Sequence, residues 1–504
     1  MNIAGHLPIL VIIIPLISAV FIPLLGRINR SAVCYFVLSV TFLSFLISIS
    51  LLSMVMTSGR ISYRLGGWEP PWGIEYVVDY LSGFVLTVVS FISFIVSIYS
   101  KRSVEKEIDG SKIPAFYCIY MLFITGLMGI VITGDIFNLY VFIEISALSA
   151  YVLIAMGKKK AALLASYNYL ILGTIAATFI LLGIGHLYMA TGSLNMADLS
   201  KRLPALYGSH VVRTAFVFFT IGLSLKMALY PLHIWLPDAH STAPSVISAL
   251  LAAAALKVGA YALLRVVFTV FTVDFVQNVV PATKVFLVLA VLAIIAGSVL
   301  TIAQTNIKRM LAYSSIGQMG YIILGAAIMN PIAMTGSLIH ILNHALMKST
   351  LFLVAGSILY KTGIEDISGL KGMGKRMPYT MAAFTIGALS MIGAPLTVGF
   401  VSKWYLAIGA LRANMWYIIP VILLSSLLTA VYCWRIIETI YFHKAPEDES
   451  MMTYNGHSTV VNDAPAGMTV PTLVLASLCI VLGFAAFIPV TVVTSAANML
   501  LGAN

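Results

Sequence analysis

The sequence predicts an all-α polytopic membrane protein of about fourteen transmembrane helices. Two observations carry that reading. Of 504 residues, 60% are hydrophobic and only 9% are charged, with a mean hydropathy of +1.01, and such a surface cannot be hidden in water. The apolar runs are also about 20 residues long, the length a helix needs to cross a bilayer, and not the alternating ten-residue segments of a barrel.

Charge and cysteine usage narrow the class further. The formal net charge of +11 is scattered over short loops without a basic tract, so it points to membrane topology and not to nucleic acid. Cys34, Cys118, Cys433 and Cys479 stand singly within or beside apolar runs, a pattern without the spacing of iron–sulfur, zinc or haem sites. No cofactor and no metal is expected to be held by this chain, and no disulfide. The first basic residues, Arg27 and Arg30, follow the first apolar run, so that run is expected to be an uncleaved first helix and not a signal peptide.

In chain order the spans are predicted near 7–25, 33–56, 79–100, 114–133, 136–156, 164–190, 212–235, 244–268, 284–303, 306–328, 332–360, 379–409, 414–441 and 470–497. The seventh and twelfth hold Pro231 and Pro395 and are expected to be broken, because an interior proline removes a backbone hydrogen bond. The 29 lysines and arginines divide as seventeen in or beside odd-numbered connections, eight in even-numbered ones and four inside helices. By the positive-inside rule the odd connections are cytoplasmic and both termini face outward. Residues 57–78, rich in Gly, Pro and Trp, are expected outside, as a small hairpin over the helix ends. The polar connection 444–467, with Glu447, Asp448 and Glu449 in a row, is expected to be a flexible cytoplasmic loop.

The chain divides into helices 1–3 (1–113), two five-helix blocks (114–268 and 284–441), and a final loop and helix (442–504). Each block contains one proline-interrupted helix carrying a lysine, Lys226 near Pro231 and Lys403 near Pro395. Paired broken helices of this kind point to inverted repeats with an ion path between them.

Ionisable groups inside spans are costly and usually move charge. Lys226 and Lys257 sit in apolar helices joined by a Pro- and His-rich bend, and Lys257 has about nine apolar helical residues on each side. The bland alternative, snorkelling of the ammonium to the headgroups, is hard at that depth. Glu144 lies mid-span in the fifth helix, and Lys226 is its natural partner, since an acid and a base buried together stabilise each other's charged forms. A static salt bridge locking two helices is the other reading. His340, His344 and Lys348 recur every four residues and so share one helical stripe. They suit proton transfer along the helix with bound water, or hydrogen bonding between helices. His233, Asp238 and His240, at the bend between Lys226 and Lys257, suit either proton intake from the cytoplasm or capping of backbone freed by Pro231 and Pro237. Lys403, beyond Pro395, is the candidate last carrier before release. The run GLKGMGKR at 369–376 imitates part of a phosphate loop, but Arg376 replaces the Ser or Thr and no strand precedes it, so it reads as a basic turn.

The segments GDIFNLYVFIEISALSAYVLIA, LSLKMALYPLHIWLPDAHSTAPSVISALLAAAALKVGAYALLR and IHILNHALMKSTLFLVAG make the whole chain resemble an antiporter-like subunit of the complex I superfamily. RLGGWEPPWGIEYVVD and ISGLKGMGKRMP favour the branch that holds the D subunit of Mrp-type multisubunit Na+/H+ antiporters and the matching subunit of membrane-bound hydrogenases. The chain ends soon after the last span, so it is expected to lack the long lateral helix of the largest such subunit. The resemblance implies two inverted five-helix repeats and a polar axis that matches Glu144, Lys226, Lys257 and Lys403. It also implies membrane partners within a larger assembly in the cytoplasmic membrane of a prokaryote, surrounded by lipid. The expected function is proton translocation along a buried Glu/Lys/His axis in an Mrp-type or related respiratory complex. A docking subunit without transport of its own, and a pump module of a redox complex whose redox centres lie in other chains, are the alternatives. Glu144 stands nearly alone, without the carboxylate-rich cage that Na+ would need, so protons are favoured over Na+ as the ion moved by this chain.

Overall fold

The computed structural model describes residues 3–444, 451–454, 457–460 and 462–502. Twelve helices among the described residues are long and apolar enough to cross a membrane. These are α1 (Leu7–Ile28), α2 (Arg30–Ser58), α3 (Tyr80–Glu107), α4 (Ile113–Ile132), α5 (Ile136–Ala155) and α6 (Lys160–Thr191), then α8 (Ser245–Val270), α9 (Ala282–Ile302), α10 (Ile307–Ile328), α11 (Pro331–Thr362), α13 (Ile418–Tyr441) and α14a (Ala466–Phe484). Two further crossings are made of paired pieces, α7a (His210–Lys226) with α7b (Trp235–Thr242), and α12a (Pro378–Ile392) with α12b (Val398–Arg412).

Both interruptions have local causes. After α7a the chain enters the left-handed region at Ala228 (φ 55°), the Leu229 N–H turns back to the Ser224 carbonyl at 2.9 Å, and Pro231 has no N–H to offer. At the second break Gly393 (φ 89°) caps α12a and Leu396 (φ 70°) completes the turn around Pro395. A third interruption was not expected: the last span is broken at Ala485 and Ala486, before α14b (Phe487–Leu501). Gly483, near the end of α14a, abuts the other break so closely that a Cβ there would lie 2.3 Å from the Leu396 carbonyl oxygen. In α8 the helix widens into π turns at Leu251–Ala255 and Val266–Val270, whereas Pro15 and Pro23 leave α1 continuous.

The expected hairpin is present. Strand β1 (Ile61–Arg64) pairs antiparallel with β2 (Glu75–Val78), and Glu75 anchors it by accepting from Ser62 Oγ at 2.7 Å and Asn195 Nδ2 at 3.0 Å. The polar connection differs from the flexible loop read from sequence, for β3 (Met451–Tyr454) and β4 (His457–Val460) pair antiparallel. Glu447, Asp448 and Glu449 lie outside the described residues.

Two loop-to-loop bridges frame the molecule. Next to the β1–β2 hairpin, Ile136 N–H donates to the Leu194 carbonyl and Met196 N–H to the Gly134 carbonyl, both at 2.9 Å, while Asp135 caps α5. At the opposite ends of the helices, Ile307 N–H donates to the Glu365 carbonyl and Ile367 N–H to the Thr305 carbonyl, again at 2.9 Å, while Asn306 caps α10. The turn before a capped helix is thus tied to the loop after the next helix, once on each face.

The α12 break also depends on close backbone contact. A Cβ at Gly399 would lie 1.7 Å from the Ser390 carbonyl oxygen, which belongs to a helix end and cannot swing aside. Gly399→Ala is therefore expected to destabilise the protein by roughly 1–3 kcal/mol, the usual cost of overpacking. A lowered melting temperature of the purified protein in detergent would register it.

Candidate functional site

Lys226 ends α7a, where the break turns its ammonium toward α5, and its Nζ lies 3.6 Å from Glu144 Oε1. Neither atom has a hydrogen-bond partner among the described groups, so the pair is held by charge attraction alone. The adjoining backbone is fixed. Trp235 at the start of α7b donates from Nε1 to the Leu225 carbonyl at 3.0 Å, and its indole stacks on Tyr169 with ring centroids 3.9 Å apart. Beside Lys226 a cavity of about 40 Å³ reaches along α4 and α8 past Tyr169, Val258 and Gly259. That is room for a water molecule. Lys257 is not part of its wall.

Lys257 is fully buried. Its ammonium turns back along α8 and donates to the Ala252 carbonyl within the first π turn. Widened turns of this kind leave carbonyls free and often mark functional positions. Lys348, also buried, donates to the Leu311 carbonyl at 2.7 Å and to Ser314 Oγ at 2.5 Å, both on α10. On the same helix as Lys348, His340 and His344 stack along α11 with centroids 5.7 Å apart. His340 Nδ1 meets Ser402 Oγ of α12b at 2.8 Å, and its Nε2 and both nitrogens of His344 have no partner among the described groups. Lys257 is close enough for its charge to act on both histidines, and Lys403 acts on His340.

Lys403 projects from α12b into the break. Its Nζ donates to the Met391 carbonyl at 3.2 Å, the Ile392 carbonyl at 2.8 Å and Ser426 Oγ at 2.9 Å, and it lies 5.4 Å from the centre of the Tyr321 ring. Gly393 makes the seat possible, for a Cβ there would lie 3.0 Å from Lys403 Cδ.

The three residues of the bend part company. His240 is fully buried, stacks on Phe352 at 5.0 Å, and has both ring nitrogens unpartnered among the described groups. Lys348, Lys257 and Lys308 are near enough to act on it electrostatically. His233 is buried too and stacks on Tyr230 at 5.2 Å. Asp238 instead lies at the surface, about two-fifths exposed, paired with Arg309 Nη1 at 2.8 Å.

Residues 133–429 match the family described as NADH:quinone oxidoreductase/Mrp antiporter, TM. The chain belongs to this family. It is 44% identical over 484 residues to the NADH-quinone oxidoreductase N subunit of Desulforudis audaxviator (strain MP104C), covering 95% of this chain and 96% of the relative. It is 32% identical to the Na(+)/H(+) antiporter D subunit of Bacillus subtilis (strain 168), covering 85% of each. Among solved structures, a chain of the membrane-bound sulfane sulfur reductase, an archaeal respiratory membrane complex, superposes with a TM-score of 0.89 at 32% identity over 98% of both chains. A chain of the Mrp complex from Dietzia sp. DQ12-45-1b shares the fold, with a TM-score of 0.89 at 23% identity over 100% of this chain and 99% of that one.

Within this family fold, the sequence reading overlooked the hydroxyls of Ser314, Ser402 and Ser426, which seat the charged groups, and Lys308. Lys308 stands beside a loop and looked like one more basic residue at a helix end. It is buried, with Nζ 3.4 Å from the Ala243 carbonyl. Ser402→Ala, which removes the one polar contact of His340, is expected to slow proton-coupled transport by about tenfold, equivalent to about 1.4 kcal/mol, with normal protein levels. Asp238→Asn is expected to change it less than twofold, because exposed ion pairs contribute about 0–1 kcal/mol. Fluorescence-based proton uptake in vesicles compares the two variants.

Proposed function

We propose that this chain is a proton-translocating, antiporter-like subunit of a multisubunit membrane complex, with Glu144, Lys226, Lys257, His344, His340 and Lys403 as its transfer groups and Lys348 beside them. The observation that supports the reading is the unbonded Glu144–Lys226 pair, whose lysine lines a water-sized cavity. A proton added to or taken from either member changes the field on the other in a low-dielectric setting. His240, buried and close to three lysines, suits proton intake, with His233 nearer the bend.

The two loop bridges on opposite faces support two inverted five-helix repeats, residues 114–268 and 284–441, meeting at Lys257 and the α11 histidines. With the positive-inside rule, the β1–β2 hairpin and both termini face outward in the cytoplasmic membrane of a prokaryote. The solved relatives are chains of larger complexes, so the partners are other membrane subunits. The relatives named for NADH-quinone oxidoreductase and sulfane sulfur reductase favour a redox-driven assembly as a second reading. Isolation of the native complex separates the two: redox subunits in it mean a pump, and their absence an antiporter.

Lys257→Ala and Glu144→Ala are each expected to abolish cation-coupled or redox-coupled proton movement while the complex still assembles. Normal proton movement in both, at normal protein levels, would overturn the proposal.

A further inference from the structure

Two small cavities lie one above the other along α4 and α8. The inner one, about 40 Å³, is walled by Lys226, Ile130, Gly259 and Ala262 among others. The outer one, about 50 Å³ under the β1–β2 hairpin, is lined by Glu75, Asp79, Thr133, Tyr261 and Arg265. From Ile130 to Thr133, and from Ala262 to Arg265, is three residues each, about 4.5 Å of helix rise. Each cavity has room for water, so less than one helical turn of protein separates the chamber of Lys226 from the hairpin face.

A hydrogen-bonded plug fills that gap. Tyr261 donates its hydroxyl to the Val131 carbonyl at 2.6 Å and accepts from Arg265 Nε at 3.1 Å. Arg265 also donates from Nη1 to Asp79 Oδ2 at 2.7 Å and from Nη2 to Asp79 Oδ1 at 2.8 Å. Asp79 in turn accepts from the Ser82 N–H at 2.9 Å, capping α3. Asp79 and Arg265 are both buried, so the guanidinium is clamped between a carboxylate on one edge and a phenol on the other.

We infer that the buried Asp79–Arg265–Tyr261 clamp is a seal that stops protons from escaping the Lys226 chamber to the outer face. The inference rests on the transport reading and the topology proposed above. A guanidinium keeps its proton at any working pH and cannot relay one. An excess proton reaching Tyr261 from the chamber meets, 3.1 Å away, a guanidinium with no lone pair to accept it, and the Asp79 carboxylate beyond is already taken up by two charge-assisted bonds from Arg265, so the chain of acceptors ends there. A proton on Lys226 is thereby directed toward Lys257 and the second half of the molecule, and the nearby outer cavity does not short-circuit it. An ion pair that merely joins α3 to α8 would be replaceable by apolar side chains without any change in permeability, which is what separates the two roles.

The test uses the assembled complex in liposomes carrying an imposed pH gradient, without coupling cation or redox substrate, and reads passive proton influx with an internal pH dye. The charge-free variant Asp79→Leu/Arg265→Leu is expected to leak at least tenfold faster than the parent. Arg265→Lys, which restores the charge, is expected to stay within about twofold of it. Asp79→Asn, which preserves the cap on α3 but loosens the clamp, is expected to leak about threefold faster, and provides the measurement if the double variant does not assemble. Parent-like influx in Asp79→Asn, or in an assembled double variant, would overturn the inference. So would Arg265→Lys leaking as fast as the double variant. Loss or retention of driven transport in Lys257→Ala bears on the transport axis alone, because passive influx needs no driven turnover.

Discussion

A positive charge withdrawn from water needs oxygen atoms around it, and a regular helix has already committed its carbonyls to its own N–H groups. The lysines of this chain meet that requirement largely where helices are irregular. Lys257 uses a carbonyl in a π turn of α8, Lys403 uses two carbonyls at the frayed end of α12a, and Lys226 stands where α7a stops, beside Glu144. Lys348 departs from the pattern and relies on a carbonyl and a hydroxyl of the unbroken α10. The acceptors for Lys257 and Lys403 thus come from helix irregularities that would be liabilities in lipid, offsetting an insertion cost of roughly 2.5–3.5 kcal/mol per lysine.

The two halves share a frame but not an electrostatic environment. Each is clamped by a loop bridge with the same hydrogen-bond pattern, on opposite faces. In the first half the broken-helix lysine faces a carboxylate at 3.6 Å, whereas in the second Lys403 is ringed by neutral carbonyls and a serine hydroxyl. Lys257 acts on both members of the His340–His344 stack, and Lys403 on His340. The two broken helices therefore present one site where charge is balanced by its partner and another where it is only solvated.

Much of this was legible in the sequence because hydrocarbon imposes a strict code. Span length, the breaks at Pro231 and Pro395 and the four lysines inside helices follow directly from it, and Glu144 and Lys226 do lie together. What stayed hidden has no local signature. The π turns of α8 fall in a run of leucine and alanine that also suits a regular helix, and the break at Ala485 and Ala486 follows Gly483, which packs against a loop nearly ninety residues earlier in sequence. Asp238 read as a proton-intake or capping group without its ion-pair partner, because Arg309 is 71 residues away, and Lys308 read as a rim charge because burial depends on what packs over a helix end. The serines that seat His340, Lys348 and Lys403 were invisible among many other serines, since only tertiary contact distinguishes them.

The indole of Trp235 is pinned twice, by its bond to the Leu225 carbonyl and by its stack on Tyr169. It rivets the two pieces of the seventh crossing across their gap, immediately beside the residue whose ammonium faces Glu144. With its main chain held in this way, Lys226 can shift its charge only by swinging its own four methylenes, not by sliding or tilting the helix that carries it. In the transport proposed above, switching at this point is then a matter of bond rotation, and the surrounding bundle, together with any neighbour docked against it, can stay still while the charge moves.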